Sequence, residues 1–505
     1  MRTGAEYKEA LRDGRRLWIM GEGEVEDVTT HPATAAQVDE YAAWYDRHHD
    51  PAWADTLLTP PDATGLRRPL AFEIPKTVDD IRRLGRAIST VGFKSAGNLT
   101  HTPGYGALIA LGIIDGTKTI EQPPERIAAA EAFHKWIADT GAFVTFSSGG
   151  PPFADRFRNA DAKKGARLIK ETDRGVIVHG MVAMHTATPF ADEVYVNGGV
   201  WSGEQADRVW FSVPLNNPGV RIVARKISVR HDNAFMAPLS SRFDELDAVL
   251  WLDNVEIPHD RVFATRFDPT AGSADPRRRE GIVAWLWWHQ QLGWLARAEF
   301  TLGLALALTD VMGLQNVPPV VDQLMDLVVD VQTIRSCVTA AELDTEVSEA
   351  GYIQPGLKHL ASAGIYNLKV RQRMSEILRN LPGSSICVAP ADTDLLDPVL
   401  GAQMDEAFTG GGYSAMQRAA LLQLAWDHVS SSLDGRESAF ELHANGGIPV
   451  WRSRLQRWFT DYNPLANAVM QALSVEMPQV DIEALRDMGR ARTNATPAPL
   501  NPRPA

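Results

Sequence analysis

Cysteine is almost absent: Cys337 and Cys387 are the only two among 505 residues. Two thiols cannot build a disulfide framework, and they are too few for a zinc ribbon or a cysteine-ligated iron–sulfur cluster, so a reducing cytoplasm fits best. Positive charge is also short. Fifty Lys and Arg against 63 Asp and Glu leave a formal charge of −13, which argues against nucleic acid or an anionic membrane as a partner. The opening stretch, MRTGAEYKEALRDGRRLWIMGEGEVEDVTTHP, scatters its charges and has no apolar core of signal-peptide length. An uninterrupted membrane-length run is missing too. GIVAWLWWHQQLGWLARAEFTLGLALALTDVMG is broken by His289, Gln290, Gln291, Arg297, Glu299 and Asp310, so it reads as a helix buried in protein. There is no GxGxxG after a strand and no GxxxxGK(S/T), which removes the Rossmann and P-loop sites.

What is present is ordinary globular material, 45% hydrophobic and 22% charged, in a chain long enough for two or three packed domains. Residues 1–150 read as a helical domain, shown best by PPERIAAAEAFHKWIADTGAF, with prolines at its start and Gly141 where a C-terminal cap belongs. From Ala166 the period shortens to strands: ARLIKET, VIVHGMVAM, EVYVN, RVWFSVPL, GVRIVARKISV and AVLWLDNVEIP, separated by turn residues. Residues 151–270 are therefore expected to form a compact antiparallel barrel or sandwich. RFDPTAGSADPRRRE, 266–280, reads as an exposed connector. Helical spacing returns in 271–480, at 281–314, 320–347, 357–381, 414–432 and 451–474, and predicts a bundle. The proline-rich 481–505 tail predicts disorder or surface draping.

His179 and His185 lie six apart on one predicted strand and so would share a face, but no third ligand follows and no metal site is expected. His31, His48 and His49 sit in polar contexts and read as solvated. The glycines at 410–412 read as a loop.

Helical domain, small β-domain and helical bundle, in that order, now combine with specific strings. The opening stretch, RLIKETDRGVIVHGMVAMHTATPFADEVYV, PLSSRFDELDAVLWLDNVEIPHDRVF and WDHVSSSLDGRESAFE resemble the 4-hydroxyphenylacetate 3-hydroxylase family, from about residue 1 to 475. This resemblance implies an α+β, acyl-CoA-dehydrogenase-like fold: an N-terminal helical domain, a central antiparallel β-barrel and a C-terminal helical bundle, usually in a homodimer or homotetramer. It also implies the oxygenase component of a two-component flavin monooxygenase. A separate NAD(P)H-flavin reductase supplies reduced FAD, dioxygen converts it to a flavin C4a-hydroperoxide, and one oxygen passes to an electron-rich aromatic small molecule. Such chemistry needs a dry pocket, a donor near the oxygens and a means of making the substrate ring nucleophilic.

Family members that act on phenols carry an Arg-x-x-x-Tyr turn and, later, a histidine before a proline-rich loop ending in arginine. The matching stretches here are HTPGY and VTFSSGGPPFADR. Tyr105 and Arg156 match, whereas His101 stands where arginine is usual and Phe146 where histidine is usual. A permanent cation has been exchanged for a titratable ring, and a proton carrier for an inert one. Either His101 is itself the base, or the substrate needs no deprotonation, as for an aniline, indole or pyrrole, or the flavin does other work.

By position, the resemblance assigns His101, Tyr105 and His289 to catalysis, His289 reading equally as a core residue. His101, Tyr105, Phe146, Gly198 and Gly199 are assigned to substrate. Flavin falls to Phe146, Ser147, Ser148, Phe153, Ala154, Asp155, Arg156, Thr186 and the turn Leu433, Asp434, Gly435, Arg436. The alternatives are a flavoprotein of this fold with a different oxidation or a redox-neutral rearrangement, or a non-catalytic binding homologue. The redox-neutral 4-hydroxybutyryl-CoA dehydratase branch needs an iron–sulfur cluster that two cysteines cannot ligate.

Overall fold

The computed structural model describes residues 1–147, 150, 164–199, 204–229, 233–268, 281–443, 447–458 and 462–472. The strands of its two larger sheets are β1 (Leu17–Ile19), β2 (Gly23–Val25), β3 (Val144–Ser147), β4 (Arg167–Glu171), β5 (Gly175–Thr186), β6 (Glu193–Gly198), β7 (Val209–Pro214), β8 (Val220–Ala224), β9 (Asp247–Pro258) and β10 (Val262–Thr265). They form a six-stranded sheet in the order β2-β1-β8-β9-β5-β4 and a four-stranded sheet in the order β10-β7-β6-β3.

Two expectations change here. Neither sheet closes, so the predicted barrel is a pair of open sheets; closure depends on tilt and shear between edges, which residue alternation does not encode. The sheets are also mixed, because β1 runs parallel to β8 and β3 parallel to β6. β1, β2 and β3 come from the first 150 residues, which periodicity assigned to helices, since three or four residues are too few to show a period of two.

Helices pack against the four-stranded sheet, at β3 and β10. The Pro103–Thr119 helix buries every residue but Lys118, as a segment apolar on all sides must when it runs through a core. It reaches β3 closely because Gly106 has no side chain: a Cβ there would meet the Val144 carbonyl oxygen at 2.7 Å. Alongside lies the long Gly281–Val311 helix. Its length and composition suit a membrane span, but Trp285, Trp287, Trp288 and Trp294 are buried in protein, as expected of a core helix. Trp287 stacks on Trp451 of the Gly447–Trp458 helix at 3.6 Å. The helices Pro318–Leu343, Leu357–Asn380 and Ala415–Val429 complete the bundle close to their predicted limits. The connector beyond 268 and the 481–505 tail lie outside the described residues.

Indole donors recruit acids into this core. Glu342 accepts from Trp288 Nε1 at 3.2 Å. Burial outweighs that bond and pushes its carboxyl from 4.5 up to about 7. The folded chain therefore holds a proton that the unfolded chain has already released between about pH 4.5 and pH 7. Stability from this group is complete below that window and falls as pH rises through it. Glu342→Gln should flatten that fall and stabilise the protein at pH 8 by about 3 kcal/mol in urea unfolding, with little effect at pH 4; equal effects at both pH values would contradict the assignment.

Candidate active site

His101 and Tyr105 straddle a helix start rather than sit in a free turn. Thr102 is the N-cap, Pro103 occupies the first helical position, where its missing N–H costs nothing, and Tyr105 lies in the first turn. The sequence distance between the three expected catalytic residues vanishes here. The Tyr105 ring meets the His101 ring edge-on at 4.7 Å and the His289 ring at 4.9 Å. Phe440 closes the far side of His101 at 5.9 Å. Burial, and secondarily the Glu245 charge, raises the Tyr105 hydroxyl above its ordinary range, so it remains a donor. Burial, helped by His101, pushes His289 down to about 3, which leaves a neutral ring whose buried Nδ1 has no partner among the described residues.

Glu245 was not singled out by sequence reasoning, yet it is fully buried directly behind His101. Its Oε1 accepts the His101 backbone N–H at 2.6 Å, and its Oε2 accepts the Thr100 hydroxyl at 2.8 Å. His101 Nδ1 lies 2.9 Å from Thr100 Oγ1 and 3.3 Å from Glu245 Oε2. The signal was in plain sight within PLSSRFDELDAV, an acidic run in an apolar setting that served only as a family mark.

The expected flavin contacts gather at two strand ends. Ser147, at the end of β3, donates to the Ala183 carbonyl of β5 at 3.2 Å. Three residues on, Thr186 donates to Asp247 at 2.8 Å. Asp247 in turn takes two bonds from Arg436, at 2.6 and 2.8 Å, and one from Arg225 at 3.1 Å. Burial alone would raise the Asp247 carboxyl; the Arg436 and Arg225 guanidiniums outweigh it and hold it well below the usual range. A single missed carboxylate thus joins Thr186 to the expected Leu433–Arg436 group. That group is the first turn of the Ser432–His443 helix rather than a loop. Leu433 is core, Asp434 accepts from Arg297 at 3.2 Å, and the Gly435 face is open. The Arg436 guanidinium also binds Glu437, so it is committed to carboxylates and not free for a phosphate.

Met184 (φ 56°) and Ala187 (φ 60°) bracket His185 and Thr186 in left-handed backbone, at a cost of order 1 kcal/mol each. The register also shifts between Val182 and His185. These two features overturn the expectation that His179 and His185 share a face: His179 stays partly exposed while His185 is fully buried, with neither ring nitrogen partnered among the described residues. His48 is a second correction. It is buried, bonds the Trp44 carbonyl at 2.9 Å, and is pushed down to about 4 by burial, so it belongs to the core.

Phe146 stacks on Tyr195 of β6 at 5.6 Å, within the β-region rather than on the histidine cluster. Gly198 and Gly199 have a packing reason: the Gly199 N–H bonds the Ala166 carbonyl at 2.7 Å, and a Cβ on Gly199 would meet the Asp207 carbonyl at 2.1 Å. Ser148, Phe153, Ala154, Asp155 and Arg156 lie outside the described residues. Cys337 and Cys387 are free thiols.

Family models described as 4-hydroxyphenylacetate 3-hydroxylase N terminal and C terminal match residues 3–264 and 279–473. Among the relatives, the 4-nitrophenol 4-monooxygenase/4-nitrocatechol 2-monooxygenase oxygenase component of Rhodococcus opacus is 30% identical over 94% of this chain and 91% of its own length. The FADH2-dependent monooxygenase TftD of Burkholderia cepacia is 28% identical over 87% and 86%. A crystal structure of the oxygenase component of 4-hydroxyphenylacetate 3-monooxygenase, complexed with FAD and 4-hydroxyphenylacetate, superposes with a TM-score of 0.85 at 25% identity, covering 97% of this chain and 100% of that one.

Because Asp247 is the main counter-charge of a buried guanidinium, Asp247→Ala should lower the urea unfolding free energy at pH 7 by about 3 kcal/mol or more. A loss under about 1 kcal/mol would show that Glu437 alone suffices for Arg436.

Proposed function

The chain belongs to the 4-hydroxyphenylacetate 3-hydroxylase family, and from that premise we propose that it is the oxygenase component of a two-component monooxygenase. It takes reduced FAD from a separate NAD(P)H-flavin reductase and, with dioxygen, hydroxylates an electron-rich aromatic or heteroaromatic small molecule. The observation that carries this reading is the buried contact of Tyr105 with two histidine rings at the start of the Pro103–Thr119 helix. A ring-shaped substrate fits among flat side chains, and three polar edges there can grip its substituent.

The residues present also fit a flavin. Hydroxyls of Ser147 and Thr186 stand at adjoining strand ends, and next to Thr186 the His185 ring is buried with two unsatisfied nitrogens, a costly arrangement unless a polar partner arrives. Reduced flavin, when bound, supplies with dioxygen the electrophilic oxygen for the ring. The protein does the rest. Ser147 and Thr186 would hold the flavin. Tyr105 donates to the substrate's polar atom, and neutral His289 orients it. His101 receives the substrate proton, and Phe146 with Tyr195 lines the flavin side.

The helices, paired sheets and bundle correspond to an acyl-CoA-dehydrogenase-like arrangement. A homodimer or homotetramer agrees with the exposed apolar side chains Val388, Leu396 and Val399.

The test supplies photoreduced FAD anaerobically with phenol, aniline and indole, admits air, and looks by mass spectrometry for product carrying one added oxygen. His101→Ala should lower the single-turnover rate by about 10²- to 10⁴-fold while leaving reduced-FAD affinity intact. No oxygenated product from any of the three, together with no binding of reduced FAD, would overturn the reading; full activity in His101→Ala would remove His101 from it.

A further inference from the structure

Hydrogen-bond bookkeeping around His101 fixes more than its position. The Thr100 hydroxyl has one proton, and Glu245 Oε2 takes it at 2.8 Å. Toward His101 Nδ1, 2.9 Å away, the same hydroxyl can then only accept. Glu245 Oε2, on the same edge of the ring at 3.3 Å, is likewise an acceptor. Two acceptors and no donor face Nδ1, so Nδ1 carries the hydrogen. In the neutral ring the other nitrogen, Nε2, is then a bare lone pair on the opposite edge, where no described residue bonds it.

Tyr105 faces the His101 ring with His289 behind it, both in their neutral forms, and Phe440 covers another side. Tyr41, Arg436 and Glu437 feel the Glu245 charge from behind. Arg436 is the cation among them, and it lies over the Phe440 ring with its N–H groups on Asp247 and Glu437. Among the described residues, then, the charge lodged directly against His101 is the Glu245 carboxylate, not a cation.

We infer that Glu245 is a positioning residue that presents His101 Nε2 as a hydrogen-bond acceptor, and that the substrate ring meets it with a neutral O–H or N–H donor rather than as a preformed anion. The inference rests on the oxygenase reading only for the word substrate; the tautomer follows from this chain alone. A site built around a lone pair rejects the analogue that lacks the hydrogen, because its acceptor would be stripped of water and left unpaired.

The probes are indole against 1-methylindole and phenol against anisole, titrated calorimetrically into full-length protein saturated with reduced FAD without dioxygen. The unmethylated member of at least one pair should bind about tenfold tighter or better. Glu245→Gln should bring that ratio to about one, because a glutamine amide N–H facing Thr100 and Nδ1 moves the imidazole hydrogen to Nε2. A preference of equal size in Glu245→Gln, a wild-type ratio near one, or failure of all four probes to bind would overturn the substrate assignment. Should Glu245→Gln not fold, ¹⁵N-histidine spectra of the wild type decide, with His101→Phe identifying the resonance: a bare nitrogen at Nε2 supports the inference, and one at Nδ1, or hydrogens on both nitrogens, overturns it. Hydroxylated product with a ratio indifferent to Glu245 defeats this inference alone; a Glu245-dependent ratio without product defeats the oxygenase reading alone.

Discussion

Three carboxylates within four residues, Asp244, Glu245 and Asp247, are each taken up by a different part of the molecule. Asp244 binds Arg225 of the β-region, Glu245 binds Thr100 and His101 of the N-terminal helices, and Asp247 binds Arg436 of the C-terminal bundle. Just before them, the N–H groups of Leu239 and Ser240 bond Asp427 at 2.7 and 2.8 Å. Buried charges are costly unless paired with good geometry, so these contacts permit few relative placements of helices, sheets and bundle. The site lies where those placements meet.

That constraint explains how a site assembled from distant segments can be firm. Tyr105 stands on a helix buried on all sides, and His289 on a helix packed among tryptophans. His101, which precedes its helix, would otherwise swing; Glu245 holds it at the main chain and at the ring. The proposed flavin side is tied to the same segment, since Asp247 links Thr186 to the Ser432–His443 helix. The same few residues that hold the parts together also aim the groups expected to handle the two ligands.

Much of this was legible in the sequence. The long helices and the strands from Arg167 to Pro258 show periods strong enough to read, and HTPGY carried two of the rings that the fold brings together with His289. What was not legible shares one physical cause. β1, β2 and β3 draw their stability from neighbours rather than from their own pattern. The bulge that separates His179 from His185 is a backbone event without a residue signature, set by left-handed Met184 and Ala187 where glycine would be anticipated. Glu245 and Asp247 were quoted only as part of a string, because an acid's meaning depends on which base or donor arrives from 144 or 189 residues away.

Those separations also govern the order of events when the chain folds. Closing loops of such length is entropically unfavourable until much of the core exists, so long-range contacts form late. The helix start bearing His101 and the helix bearing Arg436 can each be structured early, but neither can be aimed until the Asp244–Asp247 segment is seated between them. A half-folded chain, whether on the ribosome or after partial unfolding, therefore has the residues of the site without the site. Ligand competence arrives with completion of the fold, which makes binding itself a report that the whole chain has assembled.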